Sequence, residues 1–518
     1  MALKPITINK FDWWLNLSTI SDIGDNQFQK AENVFYNSKW QLQTRYGIKT
    51  FWSAIGSNKP ISSLFSFQRD DSWLVTTLAA SGTAIYKLDN TALTWSSIKW
   101  SLNEFETATG KTTRRTRRDF AVYKNVIYLT NGVNNYASYN WTTYTEYSLQ
   151  PKYRYINMVS DRLYGAGEDT NPSTIYYTAA APTDWSDLDN NSVVVGWDEM
   201  GRINGLNELW NIILATKSSK IYSIDVTNAK ADPIDSQTGW FSDRTIANVW
   251  NSLVYLTDRG VDTLQPRQSL AWASALESRP LDSDVRDLTT QIPELNLNAN
   301  CWRYIKRLNN YYFSFDTNGD DVLDRHLVYN AQVKARTEYT YPSLYDYCTY
   351  INSLWEYQFL IASATWDHVY EIETWFQDLW EDITYDIKSK AFDFWEPWTF
   401  KTFGYIDITG QKTKGNDISL DIEVDWIVVW GWLITDSMII ETKVVETLWV
   451  RPIWTDTLTG DIIEWIDLYQ FIARVPLYVT WSTILFRMYS TGWTWILHKA
   501  RIDVNTESID VFNSSCIV

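Results

Sequence analysis

Four arginines within five residues, Arg114, Arg115, Arg117 and Arg118 in KTTRRTRRDF, form the densest cationic cluster of the chain. A guanidinium presents a fork of donors that matches a phosphate, and several side by side give salt-dependent, sequence-blind binding to a nucleic-acid backbone. These four are the candidate nucleic-acid-binding residues. The competing reading is a solvated loop, or one neutralised by acidic neighbours or by a partner subunit. Just upstream, Gly110, Lys111 and Thr112 have the ending of a phosphate-binding loop, but Phe105 stands where its first glycine belongs, and no strand-loop-helix context surrounds it. A nucleotide site is not expected there.

Asp316, Asn318, Asp320 and Asp324 in DTNGDDVLD occupy positions 1, 3, 5 and 9 of a calcium-type loop. Position 6 is then Asp321 instead of glycine, position 12 is Leu327 instead of glutamate, and the flanks read as strands, so an acidic hairpin turn is the better reading. His326, His368 and His498 each stand alone in a strand-like run, and neither G-x-S-x-G nor H-E-x-x-H occurs. The expectation is no catalytic residue, no metal, no cofactor and no enzyme, with a glycosidase built on facing carboxylates as the enzymatic alternative.

The whole composition narrows the partners. The 518 residues hold 45 basic and 62 acidic side chains, a formal charge of 45 − 62 = −17. That excludes a broadly basic nucleic-acid coat. Cys301, Cys348 and Cys516 are too few and too scattered for a disulfide framework or a Cys-rich zinc site. The opening MALKPITINK has no apolar core, and the longest apolar run, Trp426 to Ile434, is far short of the roughly 20 residues that span a bilayer. A soluble protein without an export signal or membrane span is expected.

The elements that must position these residues are strands. Val, Ile, Tyr, Thr and Phe alternate with polar residues in short runs bounded by Asn, Asp and Gly turns, which predicts an all-β protein. One unit recurs, a strand ending in a small residue or Thr, a polar turn, and a second strand carrying an aromatic and an acid or Asn. It begins at Ser72, Asn125, Asp161, Trp210, Ser252, Asn310 and Glu356. A spacing of roughly 47 residues matches one four-stranded blade each, and so predicts a β-propeller of about seven blades. A pair of β-sandwiches is the alternative. Residues 1–60 lack the unit and read as an extended N-terminal arm, 61–384 as the propeller, and 385–518 as a C-terminal β-sandwich.

Tryptophan is out of proportion. The chain has 30 Trp against 20 Gly, although glycine ordinarily makes up about 7% of residues. Many Trp, including Trp13, Trp14, Trp40, Trp250, Trp395, Trp398, Trp493 and Trp495, stand among Asn, Ser, Asp, Thr and Pro, where a turn calls for glycine. The expectation is UGA recoding, in which many of these are glycines whose UGA codons were translated under the wrong code. Converting about 20 of them would restore a glycine share of roughly 8%. Trp185 in APTDWSDL reads as genuine. The alternative is a truly Trp-rich carbohydrate- or receptor-binding propeller, with aromatic platforms stacking on sugars.

Four stretches carry a resemblance. NLSTISDIGDNQFQKAENVFYNSKWQLQTRYGIKTF (Asn16 to Phe51) has an Ala-x-Asn-Val segment and an Arg-x-Gly turn. DRLYGAGEDTNPSTIYYTAAAPTDW (Asp161 to Trp185) is one blade, INGLNELWNIILATKSSKIYSID and RTIANVWNSLVYLTDRGVDTL are two more, and FDFWEPWTFKTFGYIDITG opens the C-terminal region. These resemble the propeller-bearing neck and tail virion proteins of short-tailed bacteriophages, described as tail nozzle or packaged-DNA stabilisation proteins. The resemblance implies a virion structural protein, assembled in a bacterial host's cytoplasm. It would form a homo-oligomeric ring below the portal, contact portal and other neck or tail proteins, and retain packaged DNA until ejection. Closed heterologous contacts give such rings, and an acidic wall lets the phosphate backbone slide past a local arginine grip. The family pattern also places glycine at Trp13, Trp14, Trp40, Trp250, Trp395 and Trp398.

Overall fold

The computed structural model describes residues 4–8, 28–36, 42–51, 53–92, 94–105, 115–180, 191–196, 199, 201–234, 239, 242–249, 252–257, 260–266, 276–282, 301–305, 310–330, 335–352, 357–375, 377–379, 381–392, 401–413, 415, 417–424, 427–444, 468–481, 483–492 and 495–505. Among them, strands dominate and the only helical turns are Asp243–Thr245 and Asp436–Met438. The protein is all-β, as the two-residue periodicity predicts. The chain divides into two compact units, one of Thr50–His326 with Tyr341–Glu371, the other of Met1–Lys49, Leu327–Thr340 and Ile372–Val518.

The first unit is a β-propeller arrangement in which six blades are distinct. Five are complete four-stranded antiparallel meanders. The first blade runs Ile61–Gln68, Val75–Ser81, Ala84–Asp89 and Thr94–Lys99, and the second Asp119–Tyr123, Val126–Thr130, Tyr136–Tyr139 and Tyr144–Tyr147. The third is Tyr155–Val159, Arg162–Ala166, Thr174–Tyr177 and Ser192–Val194, and the fourth Gly205–Leu209, Ile212–Thr216, Ile221–Asp225 and Lys230–Pro233. The fifth is Ala247–Val249, Ser252–Thr257, Gly260–Pro266 and Leu276–Asp282, and the sixth opens with the hairpin Leu344–Ile351 and Tyr357–Ser363. A further hairpin, Cys301–Ile305 with Asn310–Phe315, has its first strand beside Ala247–Val249 on one side and Leu344–Ile351 on the other.

The core of this unit lies between blades. The two middle strands of each meander carry apolar residues on both faces, so every sheet needs a neighbour on each side. Leu78 and Ile85 of the first blade meet Ile127, Leu129 and Tyr139 of the second. Tyr128 of the second meets Ile156 and Leu163 of the third, while Ala166 and Ile175 of the third meet Leu206 and Ala215 of the fourth. Leu214 and Ile221 of the fourth meet Leu253 and Tyr255 of the fifth. Tyr350 and Leu360 of the sixth return to Leu64 and Ala79 of the first. Each fully buried Leu or Ile contributes about 1.5–3 kcal/mol, and all of it depends on the adjoining blade being in place.

The second unit holds two runs of paired strands. One has the order Val34–Tyr36, Leu42–Thr44, Trp495–Asn505, Lys401–Thr413, Leu468–Trp481 and Ile439–Val444, with Lys4–Ile8 also on Trp495–Asn505. The other contains Ala335–Tyr339, Phe28–Glu32, Thr384–Ser389, Ile484–Thr491, Ile418–Val424 and Ile427–Ile434. The N-terminal segment, expected as an arm, therefore contributes strands to both. Its two motif residues explain how. Asn33 takes the left-handed conformation (φ 58°), its amide oxygen accepts from Arg45 Nε at 2.8 Å and from the Thr340 amide at 2.8 Å, and its amide nitrogen donates to the Thr384 carbonyl at 2.7 Å. Arg45 is fully buried, donates from Nη1 to Asp378 at 2.9 Å and from Nη2 to the Thr340 carbonyl at 3.0 Å, and has Nη2 paired with the second Asp378 oxygen. Two residues from the first fifty thus bind three distant segments.

Candidate functional site

The arginine cluster leads into the inner strand of the second blade, and the structure distributes it. Arg114 lies outside the described residues, as do Gly110, Lys111 and Thr112. Arg115 bridges Phe105 in antiparallel fashion, pairs through Nη1 with Glu104, and lays its guanidinium over the Phe105 ring at 5.2 Å. Arg117 donates from Nη2 to the Asp321 carbonyl at 3.0 Å and covers the Tyr345 ring at 5.4 Å. Arg115 and Arg117, two residues apart on an extended segment, share one side, as the two-residue period requires. Both act on Tyr345, whose phenol is raised by burial against the lowering effect of the two cations.

Arg118 points elsewhere. It is 3% exposed, its two terminal nitrogens have no hydrogen-bond partner among the described residues, and burial lowers its guanidinium to about 10. Its backbone is fixed, the amide donating to Ser63 Oγ at 2.7 Å and the carbonyl accepting from Arg244 Nη2 at 3.0 Å. Of the four predicted residues, the structure brings together Arg115 and Arg117 and separates Arg118 from them.

Around these residues lies a constellation that the sequence reading missed. Three aspartates, Asp346 buried and Asp119 and Asp243 half-buried, sit at or beside the starts of inner strands, and each accepts the amide of an inner strand in another blade. Asp119 Oδ2 takes the Ile156 amide at 2.7 Å, Asp243 Oδ1 the Leu206 amide at 2.9 Å, and Asp346 Oδ2 the Leu64 amide at 2.9 Å. Arg244 joins them. Its Nη2 reaches Ser63 Oγ at 3.2 Å as well as the Arg118 carbonyl, and its Nη1 stands 3.4 Å from Asp346 Oδ2. One arginine of the fifth blade's entry thereby contacts the first, second and sixth blades.

Burial dominates the electrostatics here. It pushes the Asp119 carboxyl up to about 6, against the lowering effect of the Ile156 amide and Arg244. Asp243 is raised well above the carboxylate range by burial and by Asp119 nearby, and the Cys301 thiol, 3.5 Å from Asp346 Oδ1, is pushed up to about 12 by burial. A thiol held so high is not a nucleophile at neutral pH. The signal available in the sequence was a lone aspartate opening or entering the inner strands of the second, fifth and sixth blades (RRDF, FSDRT, LYDY), each too isolated to be conspicuous.

The acidic loop is a turn. Asp316 accepts the amides of Asn318 at 3.0 Å, Gly319 at 2.7 Å and Asp321 at 2.8 Å, while Asp324 accepts from the Thr317 amide and hydroxyl and from Asn318 Nδ2. The Asp316, Asp320 and Asp324 carboxylates are engaged with the loop's own donors, as in an Asx turn. Among the described residues no group of three or more His, Cys, Asp or Glu side chains could hold a metal ion. His326 is buried with Nδ1 2.6 Å from Ser314 Oγ, which in turn is 2.5 Å from the Tyr347 hydroxyl. His368 Nδ1 stands 3.4 Å from Asp367, and His498 lies in the strand Trp495–Asn505.

No protein-family model matches the chain, and no curated protein matches it. Solved structures similar to it include YCF48 bound to D1 peptide, 10% identical over 64% of this chain and 98% of that one, with a TM-score of 0.39. Another is the Cps50 (Swd1) β-propeller domain of Myceliophteria thermophila, 8% identical over 63% and 99%, TM-score 0.41. A third is the extracellular domain of a one-component system of B. thetaiotaomicron, 10% identical over 78% of this chain and 57% of that one, TM-score 0.42. Among the described residues no helix is long and apolar enough to cross a membrane.

Proposed function

We propose that the chain is a structural protein of a bacteriophage virion, a neck or tail component that forms part of the DNA conduit below the portal. The observation that carries this reading is the use made of the resembling motifs. Asn33 and Arg45 of the opening stretch bind three segments of one unit, and the blade stretches build sheets that bury their faces only against each other. Such residues serve assembly, and of the polar groups first suspected of chemistry Arg115, Arg117 and Asp316 make internal bonds.

In this reading the hairpin Cys301–Ile305 and Asn310–Phe315 belongs to a seventh blade, inserted between the fifth and sixth. The C-terminal strands form a β-sandwich, since Ile418, Leu420, Ile422 and Val424 of one run and Phe403, Ile406 and Ile408 of the other are fully buried. Copies of the chain close into a ring. The arginine cluster holds DNA by phosphate contact, so retention weakens as salt rises.

Particles carrying Arg114→Ala, Arg115→Ala, Arg117→Ala and Arg118→Ala test the DNA role. Premature loss of packaged DNA that deepens with salt supports it, provided the variant chain still enters particles. Unchanged retention removes it and leaves only the structural role.

A further inference from the structure

Left-handed backbone in a non-glycine residue is confined to a few per cent of positions, mostly Asn and Asp, and in a bulky residue it is a genuine outlier. Twelve tryptophans have described backbones (73, 95, 100, 141, 210, 302, 366, 375, 430, 432, 481 and 495), and three of them take it. These are Trp73 at φ 59°, Trp141 at 79° and Trp210 at 52°. Trp has no local hydrogen bond that favours this region, so a quarter of the described tryptophans adopting it needs an explanation.

Each case is a turn whose shape is set by its surroundings. Leu209 pairs with Ile212, which leaves Trp210 and Asn211 as a two-residue hairpin loop with φ of 52° and 60°. That is the primed turn whose twist matches its strands, and it asks for glycine or asparagine at both places. The two preceding blades use the same loop with Lys124–Asn125 and Ser160–Asp161. Trp73 donates its amide to the Arg69 carbonyl at 3.0 Å inside the loop 69–74, and 63% of its surface lies in solvent. Trp141 sits in the loop between Tyr139 and Tyr144, where Asn140 Oδ1 accepts the Thr143 amide at 2.9 Å. Its ring stacks on Phe67 at 5.4 Å, but its buried indole N–H has no partner among the described residues.

We infer that the polypeptide made in its natural host carries glycine at positions 73, 141 and 210, and that these tryptophans come from UGA codons read under the wrong code. Glycine enters the left-handed region without steric cost, and a single codon with two readings explains both the geometry and the inverted ratio of 30 Trp to 20 Gly. The consequence reaches recognition. The exposed indoles at 73 and 210 are then absent, and with them two of the platforms on which a sugar ring could stack.

The test uses the gene and the protein isolated from its natural source. UGA at the three codons, together with tryptic peptides 70–87, 125–152 and 203–217 whose masses carry glycine, is the expected result. UGG codons, or UGA codons with peptides carrying Trp, would overturn the inference. In the recombinant chain, Trp210→Gly should raise the urea midpoint and Trp210→Ala should not, because alanine leaves the positive φ unrelieved. An equal or lower midpoint for Trp210→Gly counts against it.

Discussion

At the residue scale, the buried charges make the most specific claims. Asp119 has a folded pKa of about 6 against an ordinary carboxylate value of 3.8, and Asp243 is displaced in the same direction. An acid whose pKa is raised by folding favours the native state most below its unfolded pKa, and the advantage is lost as pH climbs through the folded value. The Asp119 contribution to the propeller's stability, at most about 3 kcal/mol, should therefore fall away between about pH 4 and pH 6. Urea unfolding across that range checks this. Asp119→Asn should flatten the slope; a slope identical to that of the unaltered chain would remove Asp119 as its source. Arg45 makes a separate case, because its loss strands Asp378 and Asn33. Arg45→Met should cost about 3–5 kcal/mol, the usual price of breaking one side of a buried pair, read as a shift in urea midpoint. These residues were unevenly legible in the sequence. The arginine cluster stood out because its members are adjacent, yet the segment entering the strand turns Arg115 and Arg117 toward Tyr345 and buries Arg118 apart from them. The aspartates Asp119, Asp243 and Asp346 did not stand out, since they are about a hundred residues apart.

At the element scale, the blades were legible and the N-terminal segment was not. Local alternation and two-residue turns mark each hairpin, so the repeats beginning at Asn125, Asp161 and Trp210 correspond to hairpins that the structure contains. The strand Lys4–Ile8 pairs with residues about 500 positions away, Lys4 opposite Val504, and nothing local records such a partner. Gly47 shows how tightly that segment is fitted. A Cβ there would stand 2.1 Å from the Gln377 carbonyl oxygen, closer than any real contact. Gly47→Ala should destabilise by about 1–3 kcal/mol, as overpacking does, with the strand Gly47–Thr50 exchanging its amide hydrogens faster. Unaltered exchange would mean that this approach is not a constraint.

At the scale of the whole molecule, the acidic balance of −17 fits the proposed conduit, whose wall lets the phosphate backbone slide while the arginine cluster supplies a local grip. Purified chain should bind duplex DNA weakly, with an affinity that falls steeply between low and physiological salt; a salt-independent affinity would point to recognition of another kind. The decisive measurement is cryo-electron microscopy of the assembled particles, with the chain traced into the density below the portal. A ring of copies there, each with seven blades and a C-terminal β-sandwich, is the predicted result. Particles whose neck and tail are fully accounted for by other chains would contradict the account.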